Sequence, residues 1–292
     1  MKVAVLGASG GMGSFFVRYF LERGDTVRGS DPRGTRGKTA TNVAKGLVSV
    51  SSNTEAAKGC DMTLMAVPME NTLKVAQEVV PKLKPGSTLV EISSVKGETL
   101  TSLRKLAGGR VTLLSIHPLF GPALESKKGM KIAVIVGKKE KGAEASESAL
   151  AKKLFPDARV IPMTRKEHDK AMAVVLSLTH ILNVVYAGTV AQFLTPEEFM
   201  RVSTPNSSMQ LTLAEAVLAQ DPRLSYAIQV GNAHTKKVAK RALRELRRAI
   251  GMVESSDWKA FEAQFSLLSK LYRSDKRAKT AIREIYSAAE KP

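Results

Sequence analysis

Apolar residues fall in short unbroken runs along the first half of the chain and in longer, helically spaced sets along the second. Lys2-Val-Ala-Val-Leu6 is apolar after its first residue. Asp61-Met-Thr-Leu-Met-Ala-Val67, Ser87-Thr-Leu-Val-Glu-Ile92, the run opening at Leu113 and Lys131-Ile-Ala-Val-Ile-Val136 repeat the pattern. Such runs, bounded by turn residues, read as strands buried on both faces. Thr26–Ser30 and Gly46–Val50 read as shorter strands, and Lys131–Val136 and Ala158–Ile161 as edge strands. Between them the period changes: Phe15, Phe16, Tyr19 and Phe20, then Leu73, Val75, Ala76, Val79 and Val80, recur at helical spacing. Repeated alternation of strand and helix predicts an α/β fold, a Rossmann-type doubly wound parallel sheet.

Beyond Arg165 the strand pattern stops. Residues 166–194 read as one long apolar helix, buried on most sides. Pro196 and Pro205 flank a break, and Asp221-Pro222 opens another segment. Residues 236–250 read as an amphipathic helix with cations at Lys236, Lys237, Lys240, Arg241, Arg244, Arg247 and Arg248, a solvated face rather than a binding site. The second domain is therefore expected to be all-helical.

The first strand runs into Gly7-Ala-Ser-Gly-Gly-Met-Gly13 and then into the Phe15–Phe20 helix, the strand, Gly-rich turn and helix of a dinucleotide site. Glycine permits the tight turn and a close approach of backbone to pyrophosphate, and the helix amino end supplies N–H groups and a positive dipole. Gly7, Ser9, Gly10, Gly11, Met12 and Gly13 are the expected cradle. Asp31 lies 18 residues after Gly13, where an acid bonds a ribose 2′-hydroxyl and favours NAD. Arg33, Arg36 and Lys38 follow and would suit a 2′-phosphate, so NADP stays open beside NAD. Domain boundaries are expected at 1–162 for dinucleotide binding and 163–292 for substrate binding and dimerisation.

Leu113-Leu-Ser-Ile-His-Pro-Leu-Phe-Gly-Pro122 turns from a strand into a Pro- and Gly-rich loop. His117 is then expected just past the carboxyl end of a strand, where open α/β sheets bind ligands. Its unperturbed pKa of roughly 6.5 suits it to accept a proton near neutral pH.

Composition narrows the setting. The chain has 292 residues, and no apolar run was expected to reach the roughly 20 residues of a bilayer span. With one cysteine, Cys60, there is no intrachain disulfide and no cysteine-based zinc site, and a cytoplasmic protein is the simplest reading. The net charge of +18 admits an anionic substrate or a nucleic-acid partner. Aromatics make up 5% and are not interleaved with the basic segments, which disfavours nucleic acid.

Taken together, these stretches resemble the prephenate dehydrogenase family, which includes arogenate and cyclohexadienyl dehydrogenases. The resemblance runs through Gly7–Gly13, Asp61–Pro68, Glu91-Ile-Ser-Ser-Val-Lys-Gly97, Ser115–Pro122, Glu167-His-Asp169, Leu178-Thr-His180 and Ala219-Gln-Asp-Pro222. It implies NAD(P)-dependent oxidative decarboxylation: of prephenate to 4-hydroxyphenylpyruvate in tyrosine biosynthesis, or of arogenate to tyrosine. It implies His117 as the base for the ring hydroxyl, Ser94 bonding that hydroxyl or orienting the His, and His180 facing the substrate from the helical domain. It also places Val67 and Pro68 beside the cofactor, and implies a homodimer through the helical domain and no metal. His168-Asp169 reads as helix-start structure, with Asp169 compensating an amino-end dipole. The family's substrate-clamping Arg is replaced by Ala216, preceded by Glu215, so Arg201 and then Arg223 become the candidate cations. Two other readings compete. One is a β-hydroxyacid dehydrogenase using Lys166 or Lys170; the other is a dinucleotide-sensing protein that binds nucleic acid.

Overall fold

The computed structural model describes residues 1–32, 46–137 and 146–289. Arg33, Arg36 and Lys38 lie outside the described residues. The chain divides into two compact units, Met1–Met172 and Ala173–Pro292.

The first unit carries β1 (Lys2–Leu6), β2 (Thr26–Ser30), β3 (Leu47–Ser49), β4 (Met62–Met65), β5 (Thr88–Glu91), β6 (Thr112–Pro118), β7 (Met130–Val136) and β8 (Ala158–Thr164). Its helices are α1 (Gly11–Glu22), α2 (Asn53–Ala57), α3 (Thr72–Val79), α4 (Gly97–Ala107), α5 (Ser146–Leu154) and α6 (Arg165–Met172). Among the described residues the strands form one eight-stranded sheet, ordered β3-β2-β1-β4-β5-β6-β7-β8. From β1 the chain runs outward to β2 and β3, then returns to the other side of β1 with β4. The β1/β4 border is thus the topological switch point, the usual ligand crevice of such sheets.

Both sheet faces are covered, as the unbroken apolar runs require. Val3 and Val5 of β1 pack on one side with Phe15, Phe16, Phe20, Ile116 and Phe155. Ala4 and Leu6 pack on the other with Met65, Val79, Leu83, Leu89 and Leu103. The sheet departs from the all-parallel expectation at one place: β7 runs antiparallel to β6, with His117 opposite Ala133. The connection between them, residues 119–129, contains no helix. A parallel return needs a crossover of roughly a dozen residues or more, usually helical, so this shorter link brings the chain back antiparallel.

The second unit is helical: α7 (Thr179–Val190), α8 (Pro196–Val202), α9 (Pro205–Leu218), α10 (Pro222–Gly231), α11 (Thr235–Glu254), α12 (Trp258–Tyr272) and α13 (Ala281–Ala289). The single helix expected over 166–194 is the continuous run Arg165–Val190, made of α6, a π-helical segment at Ala173–Leu178, and α7. It is not buried on most sides as expected, since Val174, Val175, Leu182, Val184 and Val185 are exposed. The helical run Arg165–Val190 is also long and apolar enough, by length and composition, to cross a membrane. That corrects the expectation that no run reaches such a length; only a few polar residues interrupt it. The expected break at Pro196–Pro205 is two helix starts. Thr195 and Thr204 each form a capping box, with Glu198 and Ser207, and each following proline occupies the first turn, where a missing N–H costs nothing. Arg201 therefore stands on α8 and not in a loop. The cations of α11 are exposed, as expected of a solvated face.

Candidate active site

At the switch point the Gly-rich turn is held from below and left open above. Gly7 adopts φ +82°, and a Cβ there would lie 2.4 Å from the Ala66 carbonyl oxygen, in the loop between β4 and Val67-Pro68. A Cβ on Gly13 would sit 1.9 Å from the Gly7 carbonyl oxygen. Neither position admits a side chain, and their glycines let α1 start hard against the turn. Gly10 caps α1 without a side-chain hydrogen bond, so no side chain there satisfies the unpaired first-turn N–H groups. Ser9 Oγ is buried and has no hydrogen-bond partner among the described residues. Asp31, 8% exposed, accepts from the Ser9 backbone N–H at 3.2 Å, tying the end of β2 to the turn. An uncapped helix amino end, an orphaned hydroxyl and a carboxylate beside β2 fit a dinucleotide's pyrophosphate and ribose. Met12 packs beneath the turn against the aromatic core. The Leu119–Pro122 loop closes on the same place: a Cβ on Gly11 would meet Pro122 Cγ at 3.0 Å, and the Phe120 ring lies 5.0 Å from that of Phe15.

His117 is the penultimate residue of β6, inside the strand rather than beyond it, and is 6% exposed. Its Nδ1 lies 3.0 Å from His168 Nε2, and His168 Nδ1 lies 2.9 Å from Asp169 Oδ1. His168 is completely buried. Asp169 also accepts from the Lys96 backbone N–H at 3.4 Å, at the amino end of α4. The dipole it compensates is therefore that of α4, not that of its own helix, and His168 is a partner of His117 instead of helix-start structure. Both corrections have one cause: α6 packs across the carboxyl ends of the strands, so its first turns meet the loops above β5 and β6.

Beneath this line lies a buried ion pair. Lys96 Nζ donates to Glu91 Oε1 at 2.6 Å and to the Ile116 carbonyl at 2.7 Å, and Ser115 Oγ donates to the same carboxylate. Lys96 and Glu91 are 1% and 2% exposed. Burial lowers the Lys96 pKa against the opposing pull of Glu91. Burial, then the charges of Lys96 and His168, push His117 well below the usual histidine range, so it is neutral at pH 7 and able to accept a proton. Ser94 is half-buried and, among the described residues, bonds neither His117 nor any other group. The orienting contact expected of Ser94 is made by His168.

In the second unit, Ser177, His180 and Asn183 recur every three residues on one helix face, and each meets a different helix. Thr235 Oγ1 donates to Ser177 Oγ at 3.0 Å, His180 Nδ1 lies 3.1 Å from Ser225 Oγ, and Gln210 Nε2 donates to Asn183 Oδ1 at 3.0 Å. Gln229 Nε2 donates to Ser225 in turn, at 3.2 Å. His180 is 4% exposed, and burial lowers its pKa. Ser225 and Gln229 also line a cavity of about 250 Å³ with Val184, Val217, Pro222 and Tyr226. Ala216 and Glu215 are exposed on α9. Arg223 pairs with Asp221 at 2.9 Å on the surface, while exposed Arg201 forms no ion pair among the described residues.

Residues 18–135 match the family model "Prephenate dehydrogenase, nucleotide-binding domain", and residues 164–267 match "Prephenate dehydrogenase, dimerization domain". The chain belongs to the prephenate dehydrogenase family. Its first unit is Rossmann-like and its second helical. The "Probable arogenate/prephenate dehydrogenase" of Methanocaldococcus jannaschii is 25% identical over 264 residues, 89% of this chain and 58% of that protein, so this chain spans little more than half of that relative. The "4-amino-4-deoxyprephenate dehydrogenase" of Streptomyces pristinaespiralis is 24% identical over 91% of this chain and 90% of its own length. The fold matches the crystal structure of prephenate dehydrogenase from A. aeolicus in complex with hydroxyphenyl propionate and NAD+, with a TM-score of 0.71. Identity there is 18%, over 94% of this chain and 98% of that one.

Against this family frame, sequence reasoning left Glu91, Lys96 and Ser115 without a role. One signal was available: Glu91 is a charge inside an otherwise apolar strand, and a buried carboxylate requires a partner. Lys96, five residues on, was the nearest cation in sequence.

Proposed function

We propose that this chain catalyses the NAD(P)-dependent oxidative decarboxylation of prephenate to 4-hydroxyphenylpyruvate, with NAD as its cofactor. The observation that carries the reading is a neutral, buried His117 in the strand whose following loop packs against the dinucleotide turn. In this reading Gly7, Ser9, Gly10, Gly11, Met12 and Gly13 cradle the pyrophosphate, and Val67 and Pro68 flank the cofactor. Asp31 holds the ribose diol and favours NAD. A bound nicotinamide supplies the acceptor for the hydride lost from the ring carbon. His117 takes the proton of the hydroxyl on that same carbon, which becomes a carbonyl as the hydride departs. The ring carboxylate then leaves as CO2, its bonding electrons complete the aromatic ring, and the proton held by His117 returns to the resulting phenolate oxygen. Base catalysis of this kind contributes about 10²–10⁴-fold. Ser94 is available to the same hydroxyl, and His180 is the helical unit's candidate substrate-binding residue.

Arogenate differs from prephenate only in a side-chain amino group in place of a keto group, and no residue named above discriminates between them. The name of the Methanocaldococcus jannaschii relative carries both substrates. The exposed apolar residues of the second unit, Phe193, Leu243, Leu246, Val253 and Phe265 among them, support a homodimer through that unit. Cys60, reduced and buried, accords with a cytoplasmic enzyme. The test is a parallel assay of the purified chain with prephenate and arogenate, each with NAD and NADP, following formation of the reduced nicotinamide. Turnover of prephenate with a preference for NAD is expected. No turnover of either substrate would refute the function, and a strong NADP preference would refute the weight placed on Asp31.

A further inference from the structure

The contacts around His117 determine where its hydrogen sits. The hydrogen bond from His168 and the backbone N–H groups of Lys96 and Gly97 outweigh burial, which acts first and in the opposite direction, to hold the Asp169 carboxyl below its ordinary range. An ionised carboxylate only accepts, so the hydrogen in the 2.9 Å contact belongs to His168 Nδ1. His117 Nδ1 is taken up by His168 Nε2, 3.0 Å away, so Nε2 is the ring nitrogen left to face a substrate. A base must carry its lone pair on that atom, which places the hydrogen of a neutral His117 on Nδ1.

We propose that His168 and Asp169 are positioning residues that lock His117 in its Nδ1–H tautomer, making Nε2 the atom that accepts the substrate's proton. The proposal rests on the dehydrogenase reading above and specifies the atom at which it operates. The proton passes from the hydroxyl oxygen to His117 Nε2, and the O–H electron pair stays on oxygen to form the carbonyl. The imidazolium so formed is buried close to Lys96, where a second positive charge is costly. Asp169 offsets it through His168, and Glu91 already neutralises Lys96. A merely structural His168 would need no such ordered run of donors.

The experiment is nitrogen-15 NMR of the labelled full-length chain at neutral pH, with its four histidines distinguished through the His117→Asn and His168→Asn variants. His117 is expected to show a protonated Nδ1 and an unprotonated Nε2. In Asp169→Asn the amide donates to His168 Nδ1, the hydrogens shift along the line, and His117 should carry its proton on Nε2. The kcat of that variant should then fall by roughly 10²-fold or more with KM little changed, the pattern of a base held in the wrong tautomer. A wild-type His117 protonated at Nε2, or at both nitrogens, overturns the proposal, as does an Asp169→Asn chain with unaltered tautomer and kcat. If Asp169→Asn does not fold, the wild-type spectrum decides alone. The spectrum needs no substrate, so failure of the tautomer and failure of the prephenate reading are separate results.

Discussion

The two units bury histidines in opposite kinds of surroundings. His117 sits among charges: Lys96 and Glu91 beneath it, Asp169 two links along. His180 sits among neutral groups, bonded to Ser225, which is bonded in turn to Gln229. Charges in a buried place set protonation states and stabilise a cation that forms during a reaction. Hydroxyls and amides fix orientation at lower cost. The first arrangement suits proton transfer and the second suits recognition. The cores differ likewise. The first unit buries apolar side chains on both faces of its sheet, whereas the second leaves many large ones exposed.

Removing a charge from the first unit should have the largest effect on stability. Lys96→Met leaves the Glu91 carboxylate buried with only Ser115 and nearby backbone for partners, which should cost about 3–5 kcal/mol. Ser225→Ala in the second unit removes one neutral bond and should cost about 1 kcal/mol. Urea unfolding midpoints measure both, and equal losses would erase the contrast between the two sites.

The substrate clamp comes next. A ring carboxylate entering a partly closed site needs a cation, and Ala216 offers none. Arg201→Ala should raise KM for prephenate at least tenfold, about 1.4 kcal/mol, while leaving NAD affinity intact. Arg223→Ala, whose guanidinium already engages Asp221, should do less. Unchanged kinetics in both variants would put prephenate itself in question.

The smallest effect is on pH dependence. His117 and His180 have folded pKa values lowered by burial, so the unfolded chain binds their protons more readily. Stability should be undiminished by these two groups above the unfolded value of about 6.5, and should fall as pH drops below it. The slope of unfolding free energy against pH between 7.5 and 5.5 measures this, and His117→Asn should flatten it. A slope of the opposite sign would mean that the folded chain stabilises the protonated rings.

How much of this could be read from sequence follows from the range of the interactions involved. Strands β1 to β6 show as apolar runs, and the Gly7–Gly13 turn shows as spacing, because each depends on neighbours within one element. Thr195-Pro196 and Thr204-Pro205 carry cap signals that mark helix starts, although two nearby prolines also fit a break. The reversal of β7 depended on a connection that forms no helix. The pairing of His117 with His168 joins residues 51 apart, and nothing in the local period of either segment encodes where α6 crosses the sheet. The exposed side of α7 reads as apolar in sequence, but periodicity cannot say whether a fold's own core or a second chain covers it.

The most direct test of the account is the kinetics of His117→Asn with prephenate and NAD. Asparagine keeps a polar side chain of similar reach but cannot take the proton. If His117 is the base held ready by His168 and Asp169, kcat falls by roughly 10²-fold or more and KM stays close to that of the wild type. A variant that keeps most of its kcat would remove His117 from the chemistry and contradict the account.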